Sequence, residues 1–99
     1  MNIHVNQMRL LNDDKPLKAF CDVQVNGWLI RDWRIIQQEG QRVYVMPPQV
    51  SWRDPDSGEI KYKGILTIPA EEKQEIDIAI LYTFQREKEK QNGSNSSRD

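Results

Sequence analysis

The sequence contains very little cysteine and histidine. Cys21 and His4 are the only residues of their kinds in the 99-residue chain. A single cysteine excludes an intramolecular disulfide and any metal site built from several cysteines, and a lone histidine near the N-terminus is a weak candidate for a metal ligand. We therefore expect no metal and no cofactor. Because Cys21 belongs to an alternating apolar stretch, we expect it to be a small buried hydrophobe.

Long hydrophobic runs and an excess of charge of one sign are also missing. No apolar stretch approaches the ~20 residues that a membrane-spanning helix needs, and no leader pattern is visible near Met1. We therefore expect a cytoplasmic protein without membrane association. The formal net charge of −1 argues against a nucleic-acid binder that works by bulk positive charge, but it is compatible with a local basic face.

The motifs of common enzymes are absent as well. The sequence has no P-loop, no dinucleotide-binding glycine pattern and no Gly-x-Ser-x-Gly nucleophile elbow. A cysteine–histidine pair would need Cys21 and His4, which both occupy ordinary strand positions. We therefore expect that the protein is not an enzyme.

A central hairpin organises the pattern that is present. Residues 17–25 alternate apolar and polar side chains, which indicates a strand with one buried face. The Asn-Gly pair at 26–27 suits the positive φ angles of a type I′ turn, so we expect Val25 to pair with Trp28 at the start of a strand over 28–37. The strand residues expected to face a helix are Leu17, Ala19, Cys21, Val23 and Val25.

The other segments predict further strands and one helix. Strands are expected over 3–11, 42–46 and 60–68, and residues 49–59 are expected to form a loop. The alternation of the first strand is imperfect, which either a bulge near Asn6-Gln7 or a strand covered on both faces would explain. Residues from 70 to about 90 lack glycine and proline and place acids before bases, which suits the helix dipole. The apolar stripe expected to face the sheet is Ile76, Ala79, Ile80 and Thr83.

Together these elements predict an α+β fold, a small antiparallel sheet of about five strands followed by one C-terminal helix packed on it. Residues 1–90 are expected to form a single domain, and the polar residues 91–99 a disordered tail. The helix also carries apolar residues away from its stripe, namely Ile78, Leu81 and Tyr82. A second apolar side usually has a second neighbour, and here that neighbour is expected to be another subunit.

Several side chains are candidates for a binding surface. Lys61 and Lys63 share a strand face and could meet phosphates as point charges. Trp52 beside Arg53 is a reasonable base-stacking element, although Trp52 could instead fold back onto the core. Arg34 is expected on the opposite face from Arg31, where an ion pair with Asp32 is the simpler interpretation. The bases at the helix end, Arg86, Lys88 and Lys90, alternate with acids and suit a solvated helix end.

The order of three segments resembles a known family. Asp32-Trp33-Arg34-Ile35-Ile36, then a turn with Gly40, then Tyr44-Val45-Met46-Pro47 resembles the SpoVG family, the stage V sporulation protein G or septation proteins of bacteria. The likeness covers roughly residues 3–90. It implies a homodimer of small α+β subunits and a regulatory role in sporulation, septation or cell-division control, exercised by binding DNA or RNA.

The sequence departs from the family pattern at one place. After the Met-Pro pair the family carries a basic step similar to Ser-Lys-Arg, whereas this chain continues Pro48-Gln49-Val50-Ser51. Nucleic-acid binding would then depend on other side chains, for which the candidates are Trp52, Arg53, Lys61, Lys63 and Arg34. The alternative is a dimeric adaptor that contacts cell-division proteins and does not bind nucleic acid directly.

Overall fold

The fold is α+β, as predicted, and the structure, a computed structural model, describes residues 1–96, with side chains as far as residue 91. Four strands form an antiparallel sheet in the order β1-β2-β3-β4, and β5 and β6 form a separate two-stranded sheet. The elements are β1 (Ile3–Leu10), β2 (Leu17–Val25), β3 (Trp28–Ile36), β4 (Tyr44–Met46), β5 (Gln49–Arg53), β6 (Ile60–Gly64) and α1 (Ala70–Ser96).

The turn between β2 and β3 has the predicted geometry. Asn26 and Gly27 have φ angles of 51° and 89°, and Val25 pairs with Trp28. The Asn26 side chain also accepts a hydrogen bond from the Asn2 N–H at 2.9 Å. This bond ties the start of β1 to the turn, so the Asn-Gly pair positions three strands rather than two.

Of the two alternatives for β1, the structure shows the bulge. The pairing of β1 with β2 shifts register between Asn6 and Arg9, and Gln7 within that interval has a φ of 52°. One extra residue in a strand changes which side chains point to each face. The bulge therefore explains why the apolar residues occupy odd-numbered positions at one end of β1 and even-numbered positions at the other.

The core lies between one face of the four-stranded sheet and the helix. Ala19, Cys21 and Val23 of β2 are completely buried, and Leu17 and Val25 are partly buried. On the other side of this layer, the helix supplies buried Ile76, Ile80 and Phe84, and the sheet adds Trp33, Ile35 and Val45.

The helix stripe differs from the prediction at its C-terminal end. Ile76 and Ile80 are buried as expected, but the third core position is Phe84 rather than Thr83. The Thr83 hydroxyl donates to the Ala79 carbonyl at 3.0 Å, so its polar group is satisfied within the helix. Residues spaced by four remain on one face of a helix for a few turns, which is why 76, 80 and 84 together contact the sheet.

The second apolar side of the helix is narrower than predicted. Ile78 and Tyr82 are 62% and 64% exposed, whereas Leu81 packs partly against the core. The helix also continues to Ser96, beyond the predicted end near residue 90. Residues 97–99 of the predicted disordered tail lie outside the described residues.

Candidate nucleic-acid interface

The sheet of β5 and β6 forms a β-arm that contributes nothing to the core. Every residue of β6 and every residue of β5 except Gln49 is exposed, and no arm residue belongs to the core cluster. The prediction of a loop over residues 49–59 is therefore wrong for β5. The physical reason is that β5 has no buried face, so its apolar alternation is limited to Val50 and Trp52 and is shorter than the run that marks a half-buried strand.

The register of the arm assigns each candidate side chain to a face. Val50 pairs with Lys63, and Trp52 pairs with Lys61. Directly paired residues in an antiparallel ladder point to the same side of the sheet, so these four side chains share one face of the arm, which we call the lysine face. Trp52 is 46% exposed and does not fold back onto the core, which decides between the two alternatives for this residue.

Arg53 occupies the other face of the arm. It pairs with Ile60, and its Nη1 donates to the Gly58 carbonyl at 2.7 Å. The guanidinium therefore stabilises the connection at the tip of the arm. The structure brings together Trp52, Lys61 and Lys63, but it does not place Arg53 beside them.

An acidic side chain at the tip engages one of the two lysines. The Lys61 ammonium lies 3.0 Å from Asp54 Oδ2, and the Asp54 carboxylate also accepts the Asp56 N–H at 2.9 Å. The Asp56 backbone bond first and then the Lys61 ammonium hold the pKa of Asp54 below its usual range. Exposed ion pairs contribute little to stability, so a phosphate can compete with Asp54 for Lys61.

A cleft of about 770 Å³ lies where the base of the arm approaches the outer side of the four-stranded sheet. Arg31 and Arg34 both line it, together with Asp32. The apolar part of its lining is Phe20, Leu29, Ile30, Pro48, Val50, Ile65 and Leu66. Because Val50 also belongs to the lysine face, that face continues into a pocket with two guanidinium groups.

A bulge in β3 explains why Arg31 and Arg34 line the same cleft. Cys21 pairs with Trp33 and Val23 with Ile30, so one residue of β2 lies across from two residues of β3. The extra residue reverses the alternation of side chains. The prediction that Arg31 and Arg34 lie on opposite faces is therefore wrong.

The bulge is held by two aspartates. Asp32 has a φ of 65°, and its N–H donates to the carboxylate of the buried Asp22 at 3.2 Å. Within residues 1–91 no ion pair joins Asp32 to Arg34, and the buried Nε of Arg34 has no hydrogen-bond partner. The predicted ion pair between Asp32 and Arg34 is therefore absent from this part of the chain.

Four residues of the arm carried a signal that could have been used. Val50 and Trp52 alternate before a run of turn formers, and Ile60 and Tyr62 alternate after it, a pattern that indicates a hairpin. No comparable signal placed Arg31 in this site. The face to which the Arg31 side chain points depends on the positive φ of Asp32, which aspartate tolerates but does not require.

The described residues contain no group of three or more side chains that could hold a metal ion. No helix among them combines the length and the apolar character needed to cross a membrane. No family model, curated protein or solved structure matches the chain.

Proposed function

We propose that this chain is a bacterial regulatory protein of the SpoVG type that binds DNA or RNA, and that it acts in the cytoplasm in the control of sporulation, septation or cell division. The regulatory role is taken from the sequence resemblance. The observation that supports binding is the lysine face, where exposed Trp52 lies across from Lys61. The arm that carries this face contributes no residue to the hydrophobic core.

The chemistry of the lysine face suits single-stranded nucleic acid. An exposed aromatic ring stacks on any base, and such stacking contributes ~1–3 kcal/mol per base. Lys61 and Lys63 lie two residues apart on one strand, which separates them by about 7 Å, so each can approach a different phosphate. Contacts of this kind give affinity without reading sequence.

The cleft extends this surface. A single strand that crosses the lysine face toward the base of the arm would meet the guanidinium groups of Arg31 and Arg34. Arginine presents a planar fork that matches phosphate oxygens, and both arginine side chains line the cleft. Both arginines are thus chemically suited to hold a phosphate beside the apolar lining.

The near-neutral charge of the chain limits the strength of this binding but does not oppose it. Screening at physiological salt restricts the reach of distant acids to about 8 Å, whereas the molecule measures 57 × 34 × 22 Å along its principal axes. Only acids within about 8 Å of the lysines weaken the binding strongly. The acids at its tip act directly, and Asp54 is the one that contacts a lysine.

A mobility shift at low salt with mixed-sequence single-stranded DNA, RNA and duplex DNA tests the proposal. We expect the wild-type chain to bind the single strands, and the double variant Lys61→Glu/Lys63→Glu to lose binding to all of them about equally. The matched control is Lys15→Glu/Arg42→Glu, which makes the same charge change at exposed positions outside the arm and should retain binding.

A second candidate function is a dimeric adaptor for a protein partner in cell division. The arm supports this second function because its charges balance. It contains three basic residues and three acidic ones, namely Arg53, Lys61, Lys63, Asp54, Asp56 and Glu59. Exposed Val50, Trp52 and Tyr62 would then contact a protein surface. Absence of any shift for the wild-type chain at low salt rejects the regulator and leaves the adaptor.

A further inference from the structure

Asp22 is a buried carboxylate outside the hydrophobic core. It retains 6% of its accessible surface, and it alternates along β2 with the core residues Cys21 and Val23. Since alternate residues of a strand point to opposite faces, the Asp22 side chain lies on the outer side of the sheet. A buried carboxylate costs free energy unless it is hydrogen-bonded, and the donor that the structure gives it is the Asp32 N–H at 3.2 Å.

The backbone of Asp32 has a conformation that few residue types adopt. Its φ of 65° lies in the left-handed region, which is less favourable for an L-residue than for glycine. Backbone outliers of this kind persist where the surrounding structure holds them, and they concentrate at functional sites. Here the Asp22 carboxylate holds the outlier by accepting its N–H.

The extra residue at Asp32 decides which side chains of β3 reach the cleft. On its C-terminal side Trp33 is completely buried in the core, so the next residue, Arg34, points to the outer side and lines the cleft. In a regular strand Arg31, three residues away, would point to the opposite side. It lines the same cleft because the bulge reverses the alternation. The bulge therefore adds the second guanidinium to the cleft.

We propose that Asp22 is a positioning residue for the binding of single-stranded nucleic acid. Its carboxylate fixes the bulge at Asp32, and the bulge directs Arg31 and Arg34 together at the phosphates of the bound strand. Guanidinium groups form paired hydrogen bonds to phosphate oxygens only when their planes are well oriented. This inference rests on the proposed function, and it assigns a role in binding to a residue that acts through the arginines.

The sign of the charge separates a positioning role from an electrostatic one. Asp22 places a negative charge near the cleft, so removing that charge alone should strengthen the binding of an anion or leave it unchanged. Removing the hydrogen-bond acceptor should weaken binding, because it takes away the partner of the Asp32 N–H and with it the support of the bulge. Asp22→Asn removes the charge and keeps an acceptor oxygen, whereas Asp22→Leu removes both.

Fluorescence anisotropy with a labelled, mixed-sequence single-stranded DNA at low salt tests the proposal. We expect Asp22→Asn to bind at least as tightly as the wild-type chain, and Asp22→Leu to bind at least fivefold more weakly. The slope of log K against log salt concentration should flatten in Asp22→Leu by ~0.7 for each arginine–phosphate contact that is lost. In the Arg31→Ala/Arg34→Ala background, Asp22→Leu should have no further effect on affinity, whereas a residue that merely stabilised the fold would weaken binding there as well.

A second pair of variants acts on the bulge itself and decides the matter if Asp22→Leu does not fold. Asp32→Gly and Asp32→Ala remove the same carboxylate and keep the same N–H, but only glycine takes a positive φ freely. We expect Asp32→Gly to bind the same DNA at least threefold more tightly than Asp32→Ala. Circular dichroism checks that both variants are folded.

The failure of this inference and the failure of the proposed function give different results. A wild-type chain that binds no single-stranded DNA at low salt rejects both. If the wild-type chain binds, equal affinities of Asp22→Leu and Asp22→Asn, or of Asp32→Gly and Asp32→Ala, overturn the positioning role alone. A further loss of affinity on adding Asp22→Leu to the variant without the two arginines overturns it as well.

Discussion

Replacing Gly27 with valine tests the turn that sets the register of the central hairpin. Gly27 has a φ of +89°, and no heavy atom lies within 4 Å of the position that a Cβ would occupy. A valine side chain therefore meets no steric clash with its surroundings, and the cost comes from the backbone alone. The left-handed conformation costs an L-residue roughly 1–2 kcal/mol, and we expect the free energy of unfolding to fall by about that amount.

The same substitution at Gly64 is the matched control. Gly64 also has open space where a Cβ would lie, but its φ is outside the left-handed region. For a domain of this size ~1 kcal/mol corresponds to about 4–8 °C in Tm. Thermal unfolding followed by circular dichroism should therefore show a Tm lower by about 4–16 °C for Gly27→Val and a nearly unchanged Tm for Gly64→Val.

An intermediate variant separates the backbone argument from a general effect of side-chain size. Asparagine tolerates positive φ better than valine does, so Gly27→Asn should melt between the wild-type chain and Gly27→Val. Equal melting temperatures for Gly27→Val and Gly64→Val would refute the reasoning, because the two positions differ in φ and not in available space.

Three further predictions concern the arm, the core and the dependence on pH. Asp54→Asn should strengthen binding of single-stranded DNA in a fluorescence-anisotropy titration, because it frees Lys61 from its ion pair; weaker binding would contradict this. Phe84→Ala should lower stability by about 3–5 kcal/mol in urea unfolding, while the same change at exposed Tyr82 should cost less than about 0.5 kcal/mol. Burial, and secondarily the neighbouring Asp22 carboxylate, raises the pKa of the Cys21 thiol from 9.0 to about 12. The thiol therefore loses its proton at a lower pH in the unfolded chain than in the folded one. The free energy of unfolding should fall as pH rises from about 9 to 12, which urea unfolding at several pH values measures. That fall should be smaller in Cys21→Ala.

The parts of the fold that could be predicted are those decided by local chemistry. The Asn-Gly turn follows from the φ angles that its two residues adopt, and the alternation of β2 follows from its single buried face. Ile76 and Ile80 were predicted because they repeat at helical spacing. In each case the nearest sequence neighbours contain the information that decides the structure.

The parts that could not be predicted depend on contacts between distant residues. Whether residue 84 joins the core depends on how the helix crosses the sheet. The strand β5 carries only a short alternation, and its place in the fold is decided by its pairing with β6 rather than by a buried face. The cleft arginines share a face because β3 is bulged at Asp32, where the Asp32 N–H donates to the Asp22 carboxylate across the hairpin. Counting alternate residues along one strand assumes a regular strand, so it cannot take account of a hydrogen bond to the neighbouring strand.

The central claim is that the lysines of the arm contact phosphates, and the salt dependence of binding tests it most directly. Each phosphate contact with a single strand adds ~0.7 to the slope of log K against log salt concentration. The account predicts that Lys61→Ala/Lys63→Ala flattens this slope by about 1.4 per chain for all sequences alike. An unchanged slope in the double variant, with binding retained, would contradict the account.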